Sequence, residues 1–318
     1  MALAVTITFC EVAENGPGME QLGADRPPGG GLSEMDLRRA MARLHADNIE
    51  CELVDLVALG DVESLGTDAS GGVLHAPEGP EPAYVLVMRN PLPQMARRAG
   101  APPVPQVLLP ENAARDAALM AAAAAGAAAA GAAAAGAAAA GATANTVFAE
   151  QQALLPIVDK KALFRGAVKN KNARHNLCFD DRSQEPAYEE GRGRIVPFAA
   201  LPALSGVRSA LAYYFGAEKA TNLLAEGNYY YDVARTGIGF HGDGERRLVI
   251  ALRLGAAIPL HYQWFYRQAP HGKRIALRLE HGDMYAMSEK AVGTDWKRSV
   301  IPTLRHAAGA PLYLRTKQ

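Results

Sequence analysis

Residues 117 to 142 are runs of alanine broken by glycines 126, 131, 136 and 141, and such a run offers nothing to a packed core. Alanine favours helix, yet each glycine costs it about 1 kcal/mol. No apolar face recurs with the 3.6-residue period that packing needs. Alanine and glycine are also too weakly apolar to hold a membrane span. The run reads as a semi-flexible spacer. It divides the chain into a first unit over residues 1–110, a linker over 111–146 and a second unit over 147–318.

The two units differ in charge. The whole chain is neutral, with 33 basic and 33 acidic residues. Residues 1–150 hold eight arginines, no lysine and eighteen acids, which leaves 25 basic and 15 acidic residues for 151–318. A basic second half is what attraction to a phosphate backbone requires. Attraction between the halves is the other reading, with the acidic half a partner or a screen for the site. At 318 residues and 49% hydrophobic content the chain can supply two cores. Cys10, Cys51 and Cys178 are too few and too scattered for a disulfide framework or a zinc site. No basic leader precedes an apolar run at the N-terminus. The expectation is a reducing intracellular compartment, nucleus or cytoplasm, and no membrane partner.

The first unit reads as a small acidic α/β domain. Val5–Phe9, Cys51–Leu56 and Ala83–Met88 alternate or run apolar like strands. Ser33 is placed to cap an amphipathic helix that runs through Leu44. The glycines at 29–31 and at 71–72 lack the lysine and spacing of a phosphate-binding loop. No site emerges there.

The second unit carries the chemistry. In Gly237-Ile-Gly-Phe-His241-Gly-Asp243-Gly-Glu-Arg-Arg247, a histidine and an aspartate two apart on an extended segment point to one side. They are two arms of a facial triad if a second histidine joins them, and a solvated polar turn if none does. Of the downstream histidines, His281 sits in a Gly-Asp turn with no arginine fork behind it. His306 is followed nine residues later by Arg315, in the short apolar segment Leu312–Arg315, which reads as a last strand. A guanidinium there can grip a carboxylate in two parallel charge-assisted bonds. His261 reads as a structural histidine. In Leu260-His-Tyr-Gln-Trp-Phe-Tyr266, a strand with one face inward, Trp264 and Phe265 face opposite sides. Trp264 is the one assigned toward substrate. Leu201 to Leu211 reads as a helix that packs on the sheet.

These blocks, with Gly227-Asn-Tyr-Tyr-Tyr-Asp232 before them and Leu279-Glu-His-Gly-Asp283 after, make residues 155–315 resemble the AlkB-like iron- and 2-oxoglutarate-dependent dioxygenases. The resemblance implies an α+β fold, with a C-terminal double-stranded β-helix, or jelly roll, and flanking helices. It implies His241, Asp243 and His306 on Fe(II), and 2-oxoglutarate held by Arg315 with help from the Asn228 block, through Tyr230 or Tyr231. Glu245 matches a position where related enzymes place an acid near the target base. The implied activity is oxidative demethylation or hydroxylation of a base in nucleic acid, as in DNA repair. The chain departs from the family in having one arginine, not two, in its last segment, and a longer stretch between Asp283 and His306. A protein or small-molecule hydroxylase, or a jelly roll that only binds, are the other readings.

Upstream, Lys160–Arg165 and Lys169–Phe179 interleave basic residues with aromatics and amides, where the family carries a nucleotide-recognition lid. Lys169, Lys171 and Arg174 are therefore candidate contacts to a single strand or flipped base, with Arg246 beside the His-x-Asp pair. A solvated edge is the other reading of the same charges.

Overall fold

A computed structural model describes residues 2–25, 30–62, 79–99 and 142–316. Most of the alanine-glycine spacer and the glycine pair at 71–72 lie outside the described residues. The chain forms strands β1 (Ala4–Cys10), β2 (Ala13–Glu14), β3 (Gln21–Leu22), β4 (Cys51–Asp55) and β5 (Tyr84–Met88) before the spacer. After it come β6 (Lys161–Phe164), β7 (Ala167–Asn170), β8 (His175–Asp180), β9 (Ile195–Pro197), β10 (Leu224–Tyr230) and β11 (Gly237–His241). The series ends with β12 (Val249–Gly255), β13 (Leu260–Tyr266), β14 (Ala269–Leu277), β15 (Met284–Met287) and β16 (Thr303–Gly309). The helices are α1 (Glu34–Ala46), α2 (Leu56–Gly60), α3 (Leu92–Ala99), α4 (Ala144–Ala153), α5 (Pro202–Phe215), α6 (Ala217–Ala220) and α7 (Glu289–Val292).

This is a mixed α and β protein built mostly from antiparallel sheet. One sheet has eight strands in the order β4-β5-β15-β12-β1-β10-β8-β9, and a second has four in the order β11-β16-β13-β14. From β10 onward the chain alternates between them, with β10, β12 and β15 in the large sheet and β11, β13, β14 and β16 in the small one. Helices α1, α3, α4 and α5 cover the outer face of the large sheet. Leu37, Leu44, Met95, Val147, Leu204 and Leu211 pack there against Ile7, Phe9, Leu177, Leu252 and Met284. Its inner face meets the small sheet through Val87, Val249, Ala251 and Tyr285 against Tyr262, Trp264 and Leu304.

Two separate domains do not exist among the described residues. Strand β1 lies in the middle of the large sheet, paired antiparallel to β10 along its whole length and to β12 from Ala4 to Phe9. Strands β4 and β5 extend the same sheet beyond β15. The reason is visible in β1 itself. Val5, Ile7 and Phe9 are fully buried in the core under the helices, and Thr6 and Thr8 point to the opposite side. A strand buried on both faces needs cover that the first hundred residues cannot make alone. Ion pairs also cross between the halves, Lys219 with Asp36 at 2.7 Å and Arg89 with Asp283 at 2.7 Å. The opposite charges of the halves serve mutual attraction at these places.

The local readings of the first hundred residues fare better. Ser33 caps α1 through its hydroxyl in a full capping box with Asp36. The last segment is a correction: Gly309 turns the chain at φ +114°, and Tyr313 and Leu314 donate back to Ala310 and Pro311 in tight turns. Leu312–Arg315 is no strand.

Residues 147–318 expressed alone should show no cooperative unfolding transition, because β10 and β12 would face an empty lane in mid-sheet with unpaired backbone groups. Urea titration followed by near-ultraviolet circular dichroism checks this. A cooperative transition in that fragment would show that β1 is dispensable.

Candidate metal centre and pocket

Strand β11 pairs with β16 so that His241 lies directly across from His306. The chain then turns at Gly242, where an added Cβ would strike the carbonyl oxygen of Gly293. The Asp243 amide donates to the Val292 carbonyl at 3.1 Å. The short α7 thus holds the turn between the two ligands, and only glycine fits at 242. The result is a cluster of His241, Asp243 and His306 whose donor atoms all lie within 4.8 Å of one another. Asp243 Oδ1 is 3.4 Å from His241 Nε2 and 3.7 Å from His306 Nε2.

Each donor is held in its ligating form. His241 Nδ1 has two carbonyl neighbours, Gly239 at 2.8 Å and His306 at 3.0 Å, so Nδ1 is the donor nitrogen and Nε2 is the one turned toward the cluster. Burial, together with the neighbouring His241, pushes the His306 imidazole down to about 3. It is neutral at physiological pH. Burial alone would raise the Asp243 carboxyl, but the Arg246 guanidinium and the two imidazoles hold it well below the usual carboxylate range. Two imidazoles and one carboxylate grouped in this way suit a single divalent metal ion.

A pocket of about 790 Å³ opens over the cluster between β1, β10 and β11. It also brings Asn228, Tyr230, Arg174, Glu245 and Arg246 to its wall, all singled out from the sequence. Asn228 is held by Arg174, by Asn176 at 2.9 Å and by its own bond to Glu226 at 3.1 Å. It is a positioning group.

Five of the sequence-derived assignments are corrected. Arg315 is exposed and lies outside the pocket wall, because after Gly309 the chain folds back over β11, setting Tyr313 against Gly237. Tyr231 points outward, stacks on His175 at 4.5 Å and donates to the Asn172 carbonyl, so Tyr230 alone faces the pocket. Trp264 is wholly buried between the sheets with its Nε1 donating to the Leu56 carbonyl at 2.9 Å, and it is Phe265 that faces away from that core. Lys171 donates to the carbonyl and side chain of Asn15, and burial pushes its ammonium down to about 8, so it is a tie between segments. Arg246 is consumed by Glu226 at 2.7 Å and Glu245 at 2.6 Å, with Asp243 at 3.6 Å. It is an internal counter-charge and has no donor to spare for a phosphate. Lys169 is exposed on the β6–β7 hairpin, away from the pocket lining. His281 accepts from the Gly255 amide at 2.9 Å and is structural.

The sequence reading missed Arg253, Thr6 and Glu14. Arg253 is only 1% exposed, yet its Nε and Nη1 have no partner, and it lines the pocket. Thr6, directly across the ladder from it, has an unpartnered buried hydroxyl as well. The signal was present: a single arginine inside the apolar run Val-Ile-Ala-Leu-Arg-Leu-Gly. Glu14 stands at the mouth with Glu226 and Glu245 near it.

No family model matches the chain. It is 49% identical over 157 residues to an uncharacterized protein of Acanthamoeba polyphaga mimivirus, a match covering 49% of this chain and 61% of that relative. The aligned part thus spans about three fifths of that relative's length. Among the described residues no helix is long and apolar enough to cross a membrane, and Cys10, Cys51 and Cys178 are free thiols.

Burial, with the Glu245 and Glu226 carboxylates beside it, raises Glu14 from its ordinary 4.5 to about 7. The folded state then keeps a proton that the unfolded chain has lost, so stability falls as pH rises from 4.5 toward 7. Glu14→Gln should gain stability relative to the natural chain across that window. Urea midpoints at about pH 4.5 and about pH 8 measure it, and a difference that does not grow with pH would refute the assignment.

Proposed function

We propose that the chain is an iron- and 2-oxoglutarate-dependent dioxygenase acting on a base in nucleic acid, built on a double-stranded β-helix. The observation that carries the reading is the His241, Asp243 and His306 cluster at one wall of a pocket whose buried Arg253 has no partner. Two imidazoles and one carboxylate with the remaining positions free is the ligand set of non-haem ferrous oxygenases. The alternation of β10 to β16 between two facing sheets, with β1 as the eighth strand, is how a jelly roll is wound. Iron with 2-oxoglutarate supplies oxidation of a C–H bond by dioxygen, 2-oxoglutarate leaving as succinate and carbon dioxide.

The chain's own residues do the rest. Arg253 and Thr6 offer buried donors to a carboxylate of the cosubstrate, the task the sequence had given to Arg315. Tyr230, on the strand next to β1, lines the same pocket. Arg246 keeps Asp243 ionised so that it stays a ligand. Glu245 presents its second carboxylate oxygen as an acceptor at the wall, and Glu14, partly protonated near neutral pH, can accept or donate, which suits the polar edge of a base. Oxidation of a methyl on a base nitrogen restores the base with loss of formaldehyde, and a methyl on ring carbon is left hydroxylated.

Succinate released from 2-oxoglutarate with ferrous iron, with and without methylated single-stranded oligonucleotides, tests the reading. Stimulated release is expected, and His306→Ala should abolish it while His281→Ala retains it. Release without stimulation by any oligonucleotide moves the substrate to a protein or small molecule. No release at all leaves a binding module. Arg253→Ala should raise the 2-oxoglutarate concentration for half-maximal release by about tenfold or more, the loss of a charged hydrogen bond, and Arg315→Ala should leave it unchanged.

A further inference from the structure

On β11, β16, β13 and β14 the side chains alternate. His241, His306, Tyr262 and Trp264 face inward to the cluster and the core. Their neighbours Phe240, Arg305 and Phe265, with Arg274 on β14, face outward. These outward groups form one continuous stack. The Arg274 guanidinium lies over the Phe240 ring at 5.0 Å, and Phe240 is 6.2 Å from Phe265. Arg305 lies over Phe265 at 4.0 Å and 5.3 Å from Trp296, whose ring also carries the Lys297 ammonium at 5.6 Å. Cations and flat rings thus form one connected series on that side of the small sheet, with Phe265 and Arg305 buried at its centre and Arg274, Phe240, Trp296 and Lys297 open at its ends.

Two features set this face apart from ordinary surface. First, its cations are uncompensated. Arg305 is 8% exposed with its Nε unpartnered, and its bonds go to neutral groups, the Gln268 side chain and the Trp296 carbonyl. Among the described residues no carboxylate pairs with Arg305, Arg274 or Lys297. Asp61 is paired with Lys273 at 3.1 Å, and Asp295 gives its Oδ2 to Lys290 at 2.7 Å while its Oδ1 has no partner. A guanidinium this buried without a counter-charge is costly unless an anion comes to it. Second, the stack leads somewhere. Phe240, Trp296 and Lys297 also line the pocket above the metal cluster.

We propose that the outer face of the four-stranded sheet is a track for single-stranded nucleic acid that delivers a base into the pocket. This deepens the nucleic-acid reading above and rests on it. Phosphates lie along the exposed Arg274 and Lys297, with Arg305 adding its charge from beneath, and bases stack on the partly open faces of Phe240 and Trp296. A duplex keeps its bases stacked on one another and has no faces to offer these rings. An acidic peptide would satisfy the cations but gain nothing from ring faces at this spacing.

Fluorescence anisotropy of the full chain with a labelled single-stranded oligonucleotide, read over a range of salt, tests the track. The Arg274→Ala, Lys297→Ala double variant, both side chains being exposed, should weaken binding about tenfold. It should also flatten the slope of log affinity against log salt by about 1.4, at roughly 0.7 per phosphate. Trp296→Leu should weaken binding and leave that slope as it was. Unchanged affinity and slope in the double variant overturn the track while the natural chain's binding keeps the nucleic-acid reading alive. No binding by the natural chain overturns both. Tighter binding of a labelled polyglutamate than of the oligonucleotide overturns the track in favour of an acidic protein partner.

Discussion

Everything in this molecule depends on the two ladders that hold Ala4–Cys10 between β10 and β12. The strand arrives from the far end of the sequence and takes a lane in mid-sheet, where every backbone donor and acceptor on both edges must be met. Its alternation does two jobs at once. Val5, Ile7 and Phe9 close the core beneath the helices, and Thr6 and Thr8 form part of the pocket wall. Bringing ends this distant together costs entropy that grows only slowly with the length of the intervening chain. A long spacer is tolerated for that reason, and the spacer joins parts of one β-structure.

Around the pocket, buried charge sorts into two kinds. The Arg246 guanidinium is surrounded by Glu226, Glu245 and Asp243, with the Cys10 sulfur at 3.4 Å. Their fields hold its proton firmly despite burial. This is a closed network, and its effect is to fix Asp243 as an anion beside two neutral-capable imidazoles. Arg253 and Arg305 are the other kind. Each is buried, and each has guanidinium nitrogens with no partner. A low-dielectric site makes an unmatched charge expensive and a matched one strong. The contrast separates a cation closed within the protein's own charges from cations whose nitrogens are left without a partner.

The proposed chemistry and the proposed track share one sheet and its period of two. On β11 and β16 the inward residues are His241 and His306, and the next residues along, Phe240 and Arg305, look out. One strand pair thus carries the two histidines of the His-Asp-His cluster on one face and ring and cation groups on the other. A register slip of one residue would lose both together.

Short-range order was legible in the sequence. The Ser33 cap, the strands at 5–9, 51–55 and 84–88, and the His-x-Asp pair on an extended segment follow from local periodicity, which the structure keeps. His306 was chosen as the partner of His241 for the arginine nine residues beyond it; the two histidines do pair, but Arg315, the ground of the choice, lies outside the site. What failed were inferences that needed non-local facts. The low-complexity run looked like a domain boundary, since nothing local says that β1 pairs with strands more than two hundred residues away. Arg315 looked like an anchor for a carboxylate, since nothing local says that the chain turns at Gly309 and folds back over β11 instead of continuing as a strand. Trp264 and Phe265 were known to face opposite ways, but which faced the core was set by the opposing sheet. By itself the sequence determined which residues are able to be ligands and which faces each strand has, because those depend on chemistry and on the backbone period. Only the tertiary structure decided which arginine is left without a partner in the pocket, because burial and counter-charge belong to neighbours brought from elsewhere in the chain.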